Sequence, residues 1–396
     1  MRNLPFNQWR FPATPAAAAF LILAAAVADT PASAQPADLW VTAYYADWHQ
    51  QSGYLPPEKI DFAAVSHIIH FSILPKRDGT IDASGGDFIT PAQSKALIGP
   101  AHAAGCKVLI CVGGANTASA FRTALVDAVR LQFVKSLVAF VRERGYDGVD
   151  IDMEPIEDSD AANYRAFIRE LRAALTAADP RLLLTAATAS KPELFAGLRD
   201  QFDQINVMTY DLSGPWPGFK IWHNSPLYDD AGKMMSDGAK YPSCDSTLRG
   251  FVASGVPRRK LAIGIAFYGY VWSGASAPEQ AIDGVTVQSG VDYSAIMDEY
   301  TTAVPAWDGV AHSPYFSVTS DDPAKRRFVS YDDERLCAEK VAYARREGLG
   351  GVMIWELGSG YRAGQPEGRK DVLLQAVKRA WTSPANASRL TAAPEK

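Results

Sequence analysis

Short apolar runs alternate with amphipathic stretches from residue 39 to about residue 380. Eight runs rich in β-branched and aromatic residues read as strands: Leu39 to Ala46, Ser66 to Leu74, Lys107 to Gly113, Gly145 to Glu154, Arg181 to Thr188, Gln204 to Tyr210, Lys260 to Tyr268 and Gly350 to Trp355. Between them apolar residues recur at helical spacing. One such face is Leu131, Val134, Val138 and Val141, and another is Tyr164, Phe167, Ile168, Leu171 and Leu175. Strand and helix in strict alternation predict a parallel sheet covered by helices, since parallel strands need a crossover connection. Eight such units fit an α/β fold of the (β/α)8 TIM-barrel type better than a doubly wound sheet.

The pattern fails from about Trp272 to Ser330, a stretch rich in Gly, Ser, Asp and aromatics with no good helix before Val291. It predicts a small α+β insertion, residues 272–330, after the seventh strand of a barrel domain spanning 38–380. Residues 381–396 turn to Ala, Pro, Ser and Thr and read as a disordered tail. At the other end, Arg2 and Arg10 precede an apolar stretch from Ala16 to Ala28, and Ala32-Ser33-Ala34 forms a small-residue cleavage site. Residues 1–34 therefore read as a signal peptide for a secreted or periplasmic protein, the apolar run being short and Ala-rich for a spanning helix.

Composition narrows the partners. The chain has 396 residues, 47% hydrophobic and 21% charged, and a formal charge of -5 with no Lys or Arg block. Nothing here resembles the footprint of a nucleic-acid or anionic-membrane binder, so a neutral ligand is expected. Export makes Cys106, Cys111, Cys244 and Cys337 candidates for disulfides with three possible pairings. Their scattered positions lack the spacing of a zinc site, and neither a metal nor a cofactor is expected.

The most informative residues are Asp147-Gly148-Val149-Asp150-Ile151-Asp152-Met153-Glu154. Alternate side chains of a strand share a face, so Asp150, Asp152 and Glu154 project together while Val149, Ile151 and Met153 face the helices. A parallel barrel strand is buried on both faces, and ionisable groups crowded there raise one another's pKa. A divalent metal would find only one side of a coordination sphere in this column. General-acid catalysis needs one carboxyl kept protonated, which the crowding supplies. Glu154 stands at the carboxyl end of its strand, where barrel chemistry is done.

The octet resembles the D-x-x-D-x-D-x-E signature of glycoside hydrolase family 18, the chitinase family. Cys111-Val112-Gly113-Gly114 is similar to the family's S-x-G-G, Met208-Thr209-Tyr210-Asp211 to its M-x-Y-D, and His223-Asn224-Ser225-Pro226-Leu227 to its H-N-x-P-L. Gly264-Ile265-Ala266-Phe267-Tyr268-Gly269 resembles the stretch before the family's insertion, and Gly351 to Glu356 the strand whose Trp floors the sugar site. The resemblance covers nearly the whole mature chain.

It implies a retaining hydrolase of β-1,4-linked N-acetylglucosamine polymers, acting as a monomer, in which the substrate's acetamido carbonyl is the nucleophile. Glu154 would be the general acid and base, Asp152 would orient the acetamido N–H, and Asp150 would share a proton behind it. Tyr210 would hold the acetamido carbonyl. Tyr44, Gly113, Gly114, Met208, Asp211, Trp355 and Trp216 would line the substrate. Trp48 and Trp222, on predicted loops, are further candidates for a saccharide groove, whereas His67 and His70 read as strand residues with satisfied hydrogen bonds. Three positions depart from the pattern: Cys111 replaces the usual Ser, Met153 an aromatic, and Tyr270 a frequent Arg. An endo-β-N-acetylglucosaminidase acting on glycoprotein or cell-wall glycans, and a sugar-binding protein without activity, are the alternatives.

Overall fold

The computed structural model describes residues 39–82, 89–216, 218–233, 235 and 238–383; the expected signal peptide, residues 1–34, and residues 384–396 of the expected tail lie outside them. Eight parallel strands close a barrel: β1 (Trp40–Ala46), β2 (His67–Pro75), β3 (Lys107–Gly114), β4 (Gly148–Met153), β5 (Leu183–Thr188), β6 (Gln204–Val207), β7 (Leu261–Ala266) and β8 (Gly351–Trp355). Each pairs in parallel with the next, and β8 returns to β1. The fold is a (β/α)8 TIM barrel. Helices including Pro91–Ala103, Asp127–Arg144, Ala161–Ala178, Cys244–Ala253, Glu334–Arg346 and Val372–Thr382 cover its outside.

Two apolar layers follow from burial of both strand faces. Outward residues such as Val149, Ile151 and Met153 pack with Phe133, Leu137, Phe167 and Leu171 of the helices. Inward residues Ile69, Leu109, Cys111, Ala187, Ala262 and Met353 form a smaller core inside the barrel. The helix Ala161–Ala178 buries the five residues its spacing predicts. In Asp127–Arg144 the buried face is instead Phe133, Val134, Leu137, Phe140 and Val141, and Leu131 is 59% exposed. The aromatic rings turn this helix, because they fill more of the space against the strands than Leu131 could.

Strand boundaries differ where side chains or glycines end the ladder. Gly145, expected in a strand, sits at φ 80° as the left-handed cap of Asp127–Arg144. β6 ends at Val207 because the Thr209 hydroxyl takes over, accepting from Gly264 N at 2.9 Å and donating to Gly264 O at 3.1 Å. The run Lys260 to Tyr268 splits in two. β7 stops at Ala266, and Tyr268–Ser273 joins a separate antiparallel sheet in the order 286–292, 268–273, 327–330, 313–318, 305–308, with a helix at Tyr293–Glu299. Residues 381–382, placed in the tail by composition, continue the last helix, and the Trp381 indole N–H donates to Leu39 O at 2.8 Å.

All four cysteines are free and buried, so none of the candidate disulfides is formed. Cys106 donates to Val65 O, Cys244 lies against Thr209 O, and Cys111 points into the barrel.

Candidate active site

The column of acids on β4 is assembled as its alternation requires, and Asp147, the first acid of the octet, lies outside it. Asp147 stands at the start of the strand, accepting from His102 at 2.7 Å, Lys107 at 3.0 Å and Val108 N at 2.8 Å. It anchors the entry of β4 to β3 and is part of the scaffold.

Asp150 is fully buried. It accepts the Tyr44 hydroxyl at 2.7 Å and the Thr185 hydroxyl at 2.5 Å, and β3 brings Cys111 into register opposite it. Burial raises its pKa above the ordinary carboxylate value, while donation from Thr185, Tyr44 and Cys111 opposes the rise. Asp152, next up the column, is pushed well above the usual range by burial and then by the negative charges of Glu154 and Asp150. Its Oδ1 is buried with no partner among the described residues.

Glu154 is half-buried at the strand end. Burial raises its pKa, a hydrogen bond from Asp152 lowers it, and the charge of Asp211 raises it again. The two carboxyls therefore hold a shared proton to higher pH than an isolated acid would, and they titrate as a unit. A proton kept in this position is what an acid catalyst for a leaving oxygen requires.

Tyr210 and Asp211 approach from the end of β6. The Tyr210 hydroxyl is buried beside the acids and has, among the described residues, only the weak acceptor Met353 Sδ at 3.6 Å, which leaves its proton available to a better one. Asp211 takes the left-handed backbone region at φ 57°, a conformation Asp tolerates, with its N–H held by Asn224 Oδ1 at 2.9 Å. Its Oδ1 accepts from Tyr268 at 2.6 Å and Tyr270 at 2.8 Å.

Trp355, at the end of β8, lies against Phe71 and Tyr44 with ring centroids 4.8 and 5.3 Å away. Its remaining surface helps line a cavity of about 300 Å³, shared with Trp48, Asp211, Tyr268, Tyr270, Asp292 and Glu356. The structure thus brings together Asp150, Asp152, Glu154, Tyr210, Asp211 and Trp355, with Trp48 at the cavity wall.

Five other expected substrate contacts take different places. Tyr44 is buried and its hydroxyl meets Asp150. Gly113 and Gly114 are buried at φ 111° and 122°; a Cβ on Gly113 would stand 2.0 Å from Asp152 O, and one on Gly114 2.5 Å from the Phe71 ring. They let β4 and Phe71 approach. Met208 is half-buried against the inner core. Trp216 is exposed on the loop after β6, edge-on to Phe219 at 4.9 Å, and does not line the cavity. Trp222 is fully buried against Tyr241, so it lines no groove. His67 bonds Ser66, and His70 bonds Tyr146 through one ring nitrogen while the other has no partner among the described residues.

Thr185, Tyr268, Asp292, Glu356 and Ser359 were not singled out in sequence. For Thr185 a signal existed, since its register opposite Asp150 follows once β4 and β5 are neighbours. The others meet only through the insertion and the loop after β8.

The family model for glycosyl hydrolases family 18 matches residues 41–360. The chain belongs to this family. A probable endochitinase of Caenorhabditis elegans is 33% identical to this family 18 chain over 276 residues, covering 63% of the chain and 43% of the worm protein. The chain thus spans less than half of that relative. In fold it is similar to Ostrinia furnacalis group IV chitinase, with a TM-score of 0.74 and 22% identity over 87% of this chain and all of the other. It is equally similar to human YKL-39, described as a pseudo-chitinase with retained chitooligosaccharide binding, with a TM-score of 0.75 and 23% identity over the same shares.

Cys111 is where this family 18 site departs from the usual Ser. A thiol donates a poorer hydrogen bond than a hydroxyl, so it stabilises ionised Asp150 less. Cys111→Ser is expected to lower the Asp150 pKa and to carry the acidic limb of the pH–rate profile to lower pH, with no change in fold. A profile superimposable on that of the unmodified protein would remove Asp150 from the proton-sharing system.

Proposed function

We propose that this protein hydrolyses β-1,4-linked N-acetylglucosamine polymers, chitin or chito-oligosaccharides, with retention and with the substrate's acetamido group as nucleophile. The observation that carries this reading is the buried, partnerless Asp152 Oδ1 beside a Glu154 that shares its proton. An acetamido N–H would supply the missing donor to Asp152, and its carbonyl would be turned toward the anomeric carbon. Tyr210 would donate to that carbonyl, and Trp355 would lie beneath the ring.

Once Asp152 is engaged, the shared proton passes to Glu154, which gives it to the glycosidic oxygen as that bond breaks. The acetamido oxygen closes on the anomeric carbon to form an oxazolinium ion, whose positive charge the ionised Asp152 offsets. Glu154, now a carboxylate, takes a proton from the water that opens the ring. The export signal read in residues 1–34 of the sequence supports an activity outside the cytoplasm, and nothing in the mechanism calls for a second subunit.

A sugar-binding protein without turnover is disfavoured by Glu154, which such a protein would have no need to keep protonated. Digestion of chitin oligomers, an N-glycoprotein and peptidoglycan in parallel tests the substrate class. Oligomers released from chitin alone support the reading; release from the glycoprotein or peptidoglycan, with chitin untouched, replaces it by the glycan-directed alternative.

A further inference from the structure

The cavity beside Trp355 contains a carboxylate that neither the fold nor the proposed mechanism uses. Asp292 closes the strand 286–292 of the insertion and precedes the helix Tyr293–Glu299, yet its side chain makes no capping bond to that helix. An Asp in this position ordinarily accepts from the first helical N–H groups. Here it is turned to the cavity wall, where its Oδ1 stands 2.7 Å from Ser359 Oγ.

That contact is only half available. Ser359 Oγ is also 2.6 Å from Glu356 Oε1, and a serine hydroxyl has one proton for the two carboxylates. Glu356 is otherwise well supplied, by Gly358 N at 2.9 Å, Ser359 N at 2.7 Å and His49 at 2.8 Å. Asp292 has no other donor within hydrogen-bonding distance among the described residues. No Lys or Arg lines the cavity, and Asp211 faces the same space; His49, whose pKa burial lowers but Glu356 and then Asp292 raise above its ordinary value, is bonded to Glu356 and makes no hydrogen bond to Asp292 among the described residues. A carboxylate short of a donor, in a cavity also lined by the aromatic rings of Trp355 and Trp48, is suited to a sugar carrying a positive charge.

We infer that Asp292 determines specificity by accepting a protonated glucosamine unit next to the reacting N-acetylglucosamine. The inference rests on the proposed function, and it also says which side of the reacting sugar is meant. The cavity shares Asp211 and Trp355 with that sugar but is not lined by Glu154, which must face the leaving oxygen. The pocket therefore holds the unit on the side away from the leaving group. That unit becomes the second sugar from the new reducing end of the product. The natural substrate class is then partially deacetylated chitin.

The test is digestion of partially acetylated chitosan at a pH that keeps its amines protonated, with the released oligomers sequenced by mass spectrometry. The expected result is severalfold enrichment of glucosamine second from the new reducing end, above its frequency in the polymer. The enrichment should shrink as salt is raised, because the attraction acts in a solvent-open cavity. Asp292→Asn, which keeps the shape and removes the charge, should bring that position back to the polymer frequency. Random occupancy in the unmodified protein, insensitivity to salt, or enrichment unchanged in Asp292→Asn overturns the assignment. A fully acetylated hexamer run in parallel separates the two failures. If the hexamer is cut while glucosamine is placed at random, only the specificity fails; if the hexamer is not cut, the proposed function fails and takes this inference with it.

Discussion

Glu154→Gln is expected to lower turnover on chito-oligosaccharides by about 10²- to 10⁴-fold, the usual contribution of a general acid, equivalent to ~3–5 kcal/mol in the barrier. The amide keeps the shape of the side chain and its place at the end of β4, so oligosaccharide binding should persist. Stability should not fall and is expected to rise at neutral pH. Burial lifts the Glu154 pKa above its ordinary value, so the folded protein holds a proton that the unfolded chain releases. Stability is then lost as pH rises from the unfolded pKa through the folded one, and removing the carboxyl removes that loss. Steady-state rates, calorimetric binding of a chito-oligomer and thermal melts across pH check the three parts. Near-normal turnover in Glu154→Gln would falsify the acid assignment.

The second large effect is on the substrate side. Fully deacetylated chitosan is expected to be cut at no measurable rate, because the nucleophile has been taken from the sugar and β4 provides no replacement. A well-placed intramolecular nucleophile is worth about 7–11 kcal/mol relative to a free reactant, more than the remaining interactions could restore. Cellulose should fail for the same reason. The comparison is made by following new reducing ends on chitin and chitosan of matched length, and comparable rates would exclude substrate assistance. The requirement applies to the reacting unit alone, so it is compatible with a glucosamine held by Asp292 in the neighbouring position.

The acids of the site were legible in the sequence because β4 has to be apolar on both faces. In Val149, Ile151 and Met153 against Asp150, Asp152 and Glu154, every second residue breaks that rule, and the break itself marks the site. Trp355 and the pair Tyr210-Asp211 were legible for a related reason, since they follow apolar runs at strand ends. The reason for the glycines was not legible, because a glycine in a sequence signals freedom of backbone, not the neighbour that needs it. Only the packing shows that Gly113 makes room for β4 and Gly114 for Phe71. Trp222 and Trp216 were indistinguishable as loop tryptophans, and burial against Tyr241 decides one of them.

Local alternation along the chain, then, determined the barrel, its eight strands and the inward column of carboxylates, because periods of two and of 3.6 residues are properties of neighbouring positions. Tertiary structure decided whatever depends on residues distant in sequence. It set Tyr44 and Thr185 on Asp150 from two different strands, and Tyr268 and Tyr270 on Asp211 from the insertion. It left the four thiols unpaired. It turned Asp292 from the helix it precedes toward Ser359, 67 residues away. Hydrogen-bond partners and electrostatic neighbours are settled by closure of the barrel, which brings together strands whose sequences carry no record of one another.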